Sequence, residues 1–259
     1  MTRDLVITAD DFGAAKEVND AVEAAHRGGV LTAASLMVTG AAAADAVARA
    51  KSMPSLRVGL HLVLVDGIPA LPVAQVRALV GRDGRFSENM ARAGAKMFFL
   101  PAARRQLAAE IEAQFEAFAA TGLPLDHVNT HKHFHLHPTI ANLIVSIGRR
   151  FGMKALRVPF ETDALLARML RRRFRAQGLL VPDRVYGLRW SGAMTQERLA
   201  AIVSGLPGGL SEIYMHPATG PYPGSAAGYR YAEELEALQT VEIKENIRLG
   251  GFADFAAAQ

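Results

Sequence analysis

Short apolar runs alternate with helix-patterned segments along almost the whole of this 259-residue chain. Residues 5–9, 33–38, 57–63, 127–130, 156–158, 185–188, 210–215 and 248–251 read as strands. Residues 16–27, 41–51, 102–121, 139–150, 163–177, 195–203 and 231–238 have helical character between them. Within 102–121, Leu107, Ile111, Phe115 and Phe118 share one face. Continuous rather than alternating apolar character marks strands buried on both faces, which is the signature of a parallel sheet covered by helices. About seven to eight such strands favour a distorted (β/α) barrel over a doubly wound sheet. One domain over residues 1–259 is expected, with the proline- and glycine-bearing stretch around 66–100 an insertion on the barrel rim.

Composition narrows the chemistry. Half of the residues are hydrophobic and 21% are charged, enough to build a core and too apolar for extended disorder. There is no cysteine, so any metal must be held by His, Asp or Glu. No G-x-G-x-x-G follows the first strand and no P-loop is present, leaving dinucleotide and nucleotide sites without support. A net charge of +4 does not argue for nucleic acid. Met1-Thr2-Arg3-Asp4 lacks the pattern of a secretory leader, and no apolar run suits a membrane span. A cytoplasmic enzyme is expected.

Reactive groups in βα barrels gather at the C-terminal ends of strands, and polar residues fall at four such ends here. Asp10 and Asp11 follow the first strand directly. Two adjacent carboxylates beside a buried strand are costly without a cation, although Asp also serves as a helix N-cap. Their side chains point in different directions, so one can bind metal while the other takes a proton. His61 sits in Val58-Gly59-Leu60-His61-Leu62, as a ligand or as a hydrogen-bonded core residue. His127, His131, His133, His135 and His137 fall within eleven residues. If the strand continues, the last four share one side, but about 6.6 Å per two residues prevents all of them from reaching one ion. One or two ligands from this run are expected. His216 ends the strand 210–215, as a strand cap or as a proton donor. One carboxylate and two imidazoles leave positions open for water and substrate.

The four pieces Thr8-Ala9-Asp10-Asp11-Phe12-Gly13, Gly59-Leu60-His61-Leu62, His131-Lys132-His133-Phe134-His135 and Met215-His216-Pro217 together resemble the YdjC-like carbohydrate deacetylases, relatives of the NodB-type polysaccharide deacetylases. The resemblance implies a distorted (β/α) barrel that hydrolyses the N-acetyl group of an amino sugar. It implies Asp11, His61 and His131 as ligands of one divalent metal ion, Zn or Mg, with Asp10 as general base and His216 as general acid. Arg157, after the fifth strand, is expected to orient Asp10 or to bind substrate. Homodimers are expected by the same analogy.

Leu62-Val63-Leu64-Val65-Asp66-Gly67, the 129–138 run and Leu249-Gly250-Gly251-Phe252 resemble more closely the hopanoid-biosynthesis-associated HpnK branch. That likeness implies the N-acetylglucosaminyl head group of a hopanoid lipid as substrate. Soluble N-acetylated oligosaccharides are the alternative, and two further rivals are a phosphoesterase and a non-catalytic carbohydrate- or metal-binding barrel. Within 164–180, Leu165, Leu166, Met169, Leu170 and Phe174 lie among Arg168, Arg171, Arg172, Arg173 and Arg175. A basic amphipathic helix can rest on an anionic membrane, here the inner face. Alternatively, its apolar face packs on the sheet and its arginines face water.

Overall fold

A computed structural model describes residues 2–162 and 164–256. In chain order these form β1 (Arg3–Phe12), α1 (Lys16–Gly28), β2 (Ala33–Leu36), α2 (Ala43–Ser52), β3 (Arg57–Leu62), α3 (Met90–Phe99), α4 (Pro101–Ala120), β4 (Val128–Thr130), α5 (Pro138–Gly148), α6 (Leu165–Arg175), β5 (Arg184–Tyr186), α7 (Gln196–Ser204), β6 (Gly209–Met215), α8 (Tyr231–Thr240), β7 (Ile247–Leu249) and α9 (Phe252–Ala256).

Seven parallel strands make one sheet, in the order β4-β3-β2-β1-β6-β5, with β7 added to β1. The ten residues of β1 are long enough to be shared. β6 pairs with Arg3 through Ala9 on one side, while β7 takes Arg3 to Leu5 and β2 takes Thr8 to Phe12 on the other. Residues 155–160 cross the gap between the two ends of this path. Arg157 N donates to Val128 O at 3.1 Å, Leu156 N to Leu180 O at 3.1 Å, and Val185 N to Phe160 O at 3.1 Å. The result is the expected distorted barrel. The expected strand at 156–158 is reduced to isolated bridges, because Pro159 brings no amide donor with which to extend a ladder. The expected helix 163–177 is shorter, and residue 163 lies outside the described residues. Residues 66–100 hold a short 3-10 turn (Val73–Gln75) and α3, which the sequence pattern did not reveal.

The two-residue period of a strand divides β1 between two environments. Leu5, Ile7 and Ala9 pack in the main core, toward the covering helices. Val6 joins Ala33, Ala155, Leu180, Leu210 and Phe252 in a separate apolar cluster. The next positions on that inner side, Thr8 and Asp10, are polar and buried. On β6, Glu212 follows Leu210 in the same way, and Thr8 Oγ1 donates to Glu212 Oε1 at 2.8 Å. The barrel interior is therefore an apolar plug with a buried polar layer stacked on it.

Candidate metal centre

The register of β1 against β2 shifts between Ala9 and Phe12. Asp11 sits in that irregularity with φ 61°, a left-handed conformation uncommon for a residue with a Cβ. Gly13 follows at φ 94°, where glycine is the natural occupant, and its amide donates to Asn19 Oδ1 on α1 at 2.8 Å. The bend separates the two carboxylates. Asp10 turns inward to Arg157, while Asp11 turns toward β3 and the segment after β4.

Asp11 Oδ1 lies 3.2 Å from His61 Nε2 and 3.2 Å from His131 Nδ1. Ligand atoms of Asp11, His61 and His131 all lie within 4.8 Å of one another, close enough to share one cation. Two observations fit these residues to an ion. His61 Nδ1 is engaged by Asn129 Oδ1 at 2.6 Å. Its Nε2 is buried and faces Asp11 Oδ1 at 3.2 Å outside hydrogen-bond geometry, which leaves the nitrogen for a partner such as a cation. Burial works to neutralise Asp11, but His131 and His61 outweigh it and hold its pKa well below the usual carboxylate value. Two imidazoles and one carboxylate suit a first-row divalent ion such as Zn²⁺ better than Mg²⁺.

Asp10 is 2% exposed. Arg157 Nη1 and Nη2 donate to its two oxygens at 2.5 and 3.0 Å, and Asn129 Nδ2 donates to Oδ1 at 3.2 Å. Burial favours the protonated acid, but Arg157, then His61 and His216, outweigh it and hold the carboxyl ionised far below its ordinary range. Arg157 itself is 0% exposed and also donates to Glu212 Oε1 through Nε and Nη2, at 3.0 and 2.7 Å. Of the two expectations for this residue, the geometry places it behind Asp10, with no surface turned to a substrate.

The histidine run does not continue as a strand. After β4 it folds into a 3-10 turn, His131–Leu136, with Lys132 and His133 both left-handed at φ 53° and 54°. The turn sends each ring to a different place. His131 reaches Asp11, and His133 Nε2 meets Tyr214 Oη at 2.7 Å. His135 lies between Thr130 Oγ1 and Arg157 O, each at 2.7 Å. Burial pushes His133 far down and His135 down to about 4, so both rings are neutral.

His216 closes the other flank. Its ring packs edge-on against Tyr214 and Tyr229, its backbone amide donates to Glu234 Oε2 at 2.5 Å, and its Nδ1 is buried without a partner. Sequence reasoning missed Asn129, Glu212, Ser35 and Glu234. Ser35 and Glu212 interrupt otherwise apolar strands and Asn129 lies buried in β4, and a polar residue at a buried strand position already signals a partner across the barrel.

A profile of the family described as YdjC-like protein matches residues 4–248. The chain belongs to the YdjC-like family. It is 32% identical over 248 residues to a protein named carbohydrate deacetylase from Brevibacillus brevis, covering 94% of each chain. It is 31% identical over 263 residues to a chitooligosaccharide deacetylase from Enterobacter sp. (strain 638), covering 98% of this chain and all of that one. Among solved structures, a putative cellobiose-phosphate cleavage protein from Enterococcus faecalis V583 superposes with a TM-score of 0.84 at 24% identity, over 98% of this chain and 99% of that one. This last likeness concerns the fold of the YdjC-like barrel. Among the described residues, no helix is long and apolar enough to cross a membrane.

Proposed function

We propose that this YdjC-like protein is a metal-dependent carbohydrate deacetylase, which hydrolyses the N-acetyl group of an amino sugar and releases acetate. The observation that carries this reading is a separate, ionised carboxylate, Asp10, set beside the Asp11–His61–His131 cluster. Relatives named for deacetylation of carbohydrate over nearly the full length support it. When bound by the three ligands, a divalent ion lowers the pKa of a water and polarises a carbonyl. Asp10 accepts the proton of the water that attacks the amide carbon, and Arg157 keeps the carboxylate charged and aimed. His216, on the opposite flank, gives a proton to the sugar nitrogen as the C–N bond breaks and acetate leaves.

The test is acetate release from N-acetylated chitooligosaccharides by Zn²⁺- or Mg²⁺-loaded protein. Asp11→Ala should abolish both metal binding and turnover, whereas Asp10→Asn should keep the metal and lose turnover. Full activity after chelation, or sugar binding without acetate, would overturn the reading.

A finer reading places the sugar on a hopanoid lipid, with the protein resting on a membrane surface. It is supported by α6, whose buried side is Ala167, Arg171 and Phe174. Leu165, Leu166 and Met169 are instead 67%, 57% and 60% exposed, beside the exposed Arg168 and Arg172. An ordinary barrel helix would turn these three inward. Anionic vesicles should bind the wild type and release a Leu165→Ser/Leu166→Ser/Met169→Ser variant. Equal retention of the two would leave soluble oligosaccharides as the substrate class.

A further inference from the structure

A chain of buried polar side chains runs from the bottom of the barrel to His61. Asp126 accepts the backbone amides of Phe252 and Ala253 at 3.2 and 2.8 Å, and its Oδ2 lies 2.9 Å from His127 Nδ1. His127 Nε2 lies 2.9 Å from Ser35 Oγ. Asn129 Nδ2 donates to Ser35 Oγ at 2.8 Å and to Asp10 Oδ1 at 3.2 Å. Asn129 Oδ1 then meets His61 Nδ1 at 2.6 Å. Ser35, His127 and Asn129 are each 0% exposed.

With neutral imidazole rings, the chemistry of the members fixes the direction of every bond. A carboxylate only accepts, so His127 carries its proton on Nδ1 and presents a lone pair at Nε2. The Ser35 hydroxyl must donate to that lone pair, which leaves its oxygen to accept from the Asn129 amide. With both Asn129 N–H groups spent on Ser35 and Asp10, its carbonyl oxygen faces His61. His61 is thereby held with its proton on Nδ1 and its Nε2 lone pair turned to Asp11 and His131. We infer that Asp126, His127, Ser35 and Asn129 form a positioning relay that sets the tautomer and ring orientation of the metal ligand His61. The relay also carries the general base, since one Asn129 hydrogen holds Asp10. A glycine supports the geometry: a Cβ at Gly59 would lie 2.5 Å from the His127 ring.

This inference rests on the reading of Asp11, His61 and His131 as ligands, and the experiment separates the two. Ring ¹⁵N spectra of the metal-free wild type, taken at a pH high enough that both rings are neutral and assigned with His61→Ala and His127→Phe, should show both rings in the Nδ1–H form. Zn²⁺ affinity, measured by competition with a chromophoric chelator, should fall about 10- to 100-fold in Ser35→Ala and His127→Phe. His61 should then become a mixture of tautomers, while circular dichroism shows both variants folded. Either ring in the Nε2–H form in the wild type overturns the relay without recourse to any variant. So does wild-type Zn²⁺ affinity in folded Ser35→Ala and His127→Phe. If His61→Ala binds Zn²⁺ as tightly as the wild type, the metal-centre reading itself fails, whatever the relay variants do.

Discussion

Arg157 grips both oxygens of Asp10, at 2.5 and 3.0 Å, while the same guanidinium lies 2.7 Å from Glu212. The three groups are 0%, 2% and 0% exposed, so two carboxylates share one buried cation. Burial opposes the charge on Arg157, but the carboxylates outweigh it and raise its pKa. The arrangement holds the proposed base ionised and still, and it makes the site depend on a single residue.

Removing that residue should be costly. Arg157→Met leaves Asp10 and Glu212 buried together without a counter-charge, and breaking a buried pair in this way costs about 3–5 kcal/mol. Urea unfolding should show the loss as a lower midpoint with an unchanged slope, accompanied by loss of deacetylase turnover. A variant as stable as the wild type would mean that water or rearrangement reaches the pair.

Acid should weaken the fold through His135. Burial pushes its pKa from 6.5 down to about 4. The unfolded chain therefore binds the extra proton first, so stability rises with pH across this window and is lost as pH falls from about 6.5 to 4. A shift of this size corresponds to about 3 kcal/mol at most, and His133, also depressed, acts in the same direction. His135→Gln should flatten the profile of unfolding free energy between pH 7 and pH 4 relative to the wild type. Parallel profiles would remove His135 as a source of acid sensitivity.

The strand positions were legible because parallel strands buried on both faces are mostly apolar rather than alternating, and Leu5–Ala9 of β1 stands out for that reason. That Asp and His side chains at strand ends converge was legible, since a barrel gathers those ends in space, whereas the choice of Asp11, His61 and His131 among them came from the family resemblance. The path of the histidine run was not legible. Left-handed Lys132 and His133 carry no sequence mark of the kind a glycine supplies, so period-two alternation misplaced His133 and His135. The buried side of α6 was left open for a related reason: Arg171 is buried there and Leu165 is not, and helical periodicity cannot say which stripe the sheet will cover. Residues 156–158 had strand-like composition, but Pro159 limited them to single bridges.

Gly59 offers a packing test. An added Cβ would lie 2.5–2.6 Å from three atoms of the His127 ring, which is itself wedged between Asp126 and Ser35. The ring cannot retreat without breaking one of those bonds. Gly59→Ala should cost about 1–3 kcal/mol, the usual range for overpacking, seen as a lower thermal midpoint. An unchanged midpoint would mean that β3 moves instead.

The stretch between β3 and α3 is held by side chains of α4, among them Gln114 and Glu110, which makes it the region where site geometry and stability can be separated. Gln114 pairs with both backbone groups of Val63, receiving the amide at 2.9 Å and donating to the carbonyl at 2.7 Å. It also donates to Glu110 at 2.7 Å, and Glu110 in turn accepts the amides of Ala70 and Leu71 at 2.7 and 3.0 Å. Gln114→Leu preserves bulk but strips partners from Val63 N and O, at about 1–3 kcal/mol for each buried group left unpaired. Glu110→Gln is milder in shape but places an NH₂ where Ala70 or Leu71 already offers a donor. Hydrogen exchange should therefore accelerate at Val63 in the first variant and at Ala70 and Leu71 in the second. Val63 lies two residues beyond His61, so Gln114→Leu should also weaken Zn²⁺ binding, while Glu110→Gln, acting farther along the chain, should leave it near the wild-type value. Equal Zn²⁺ affinity in both variants, despite faster exchange, would show that β3 holds His61 without help from α4.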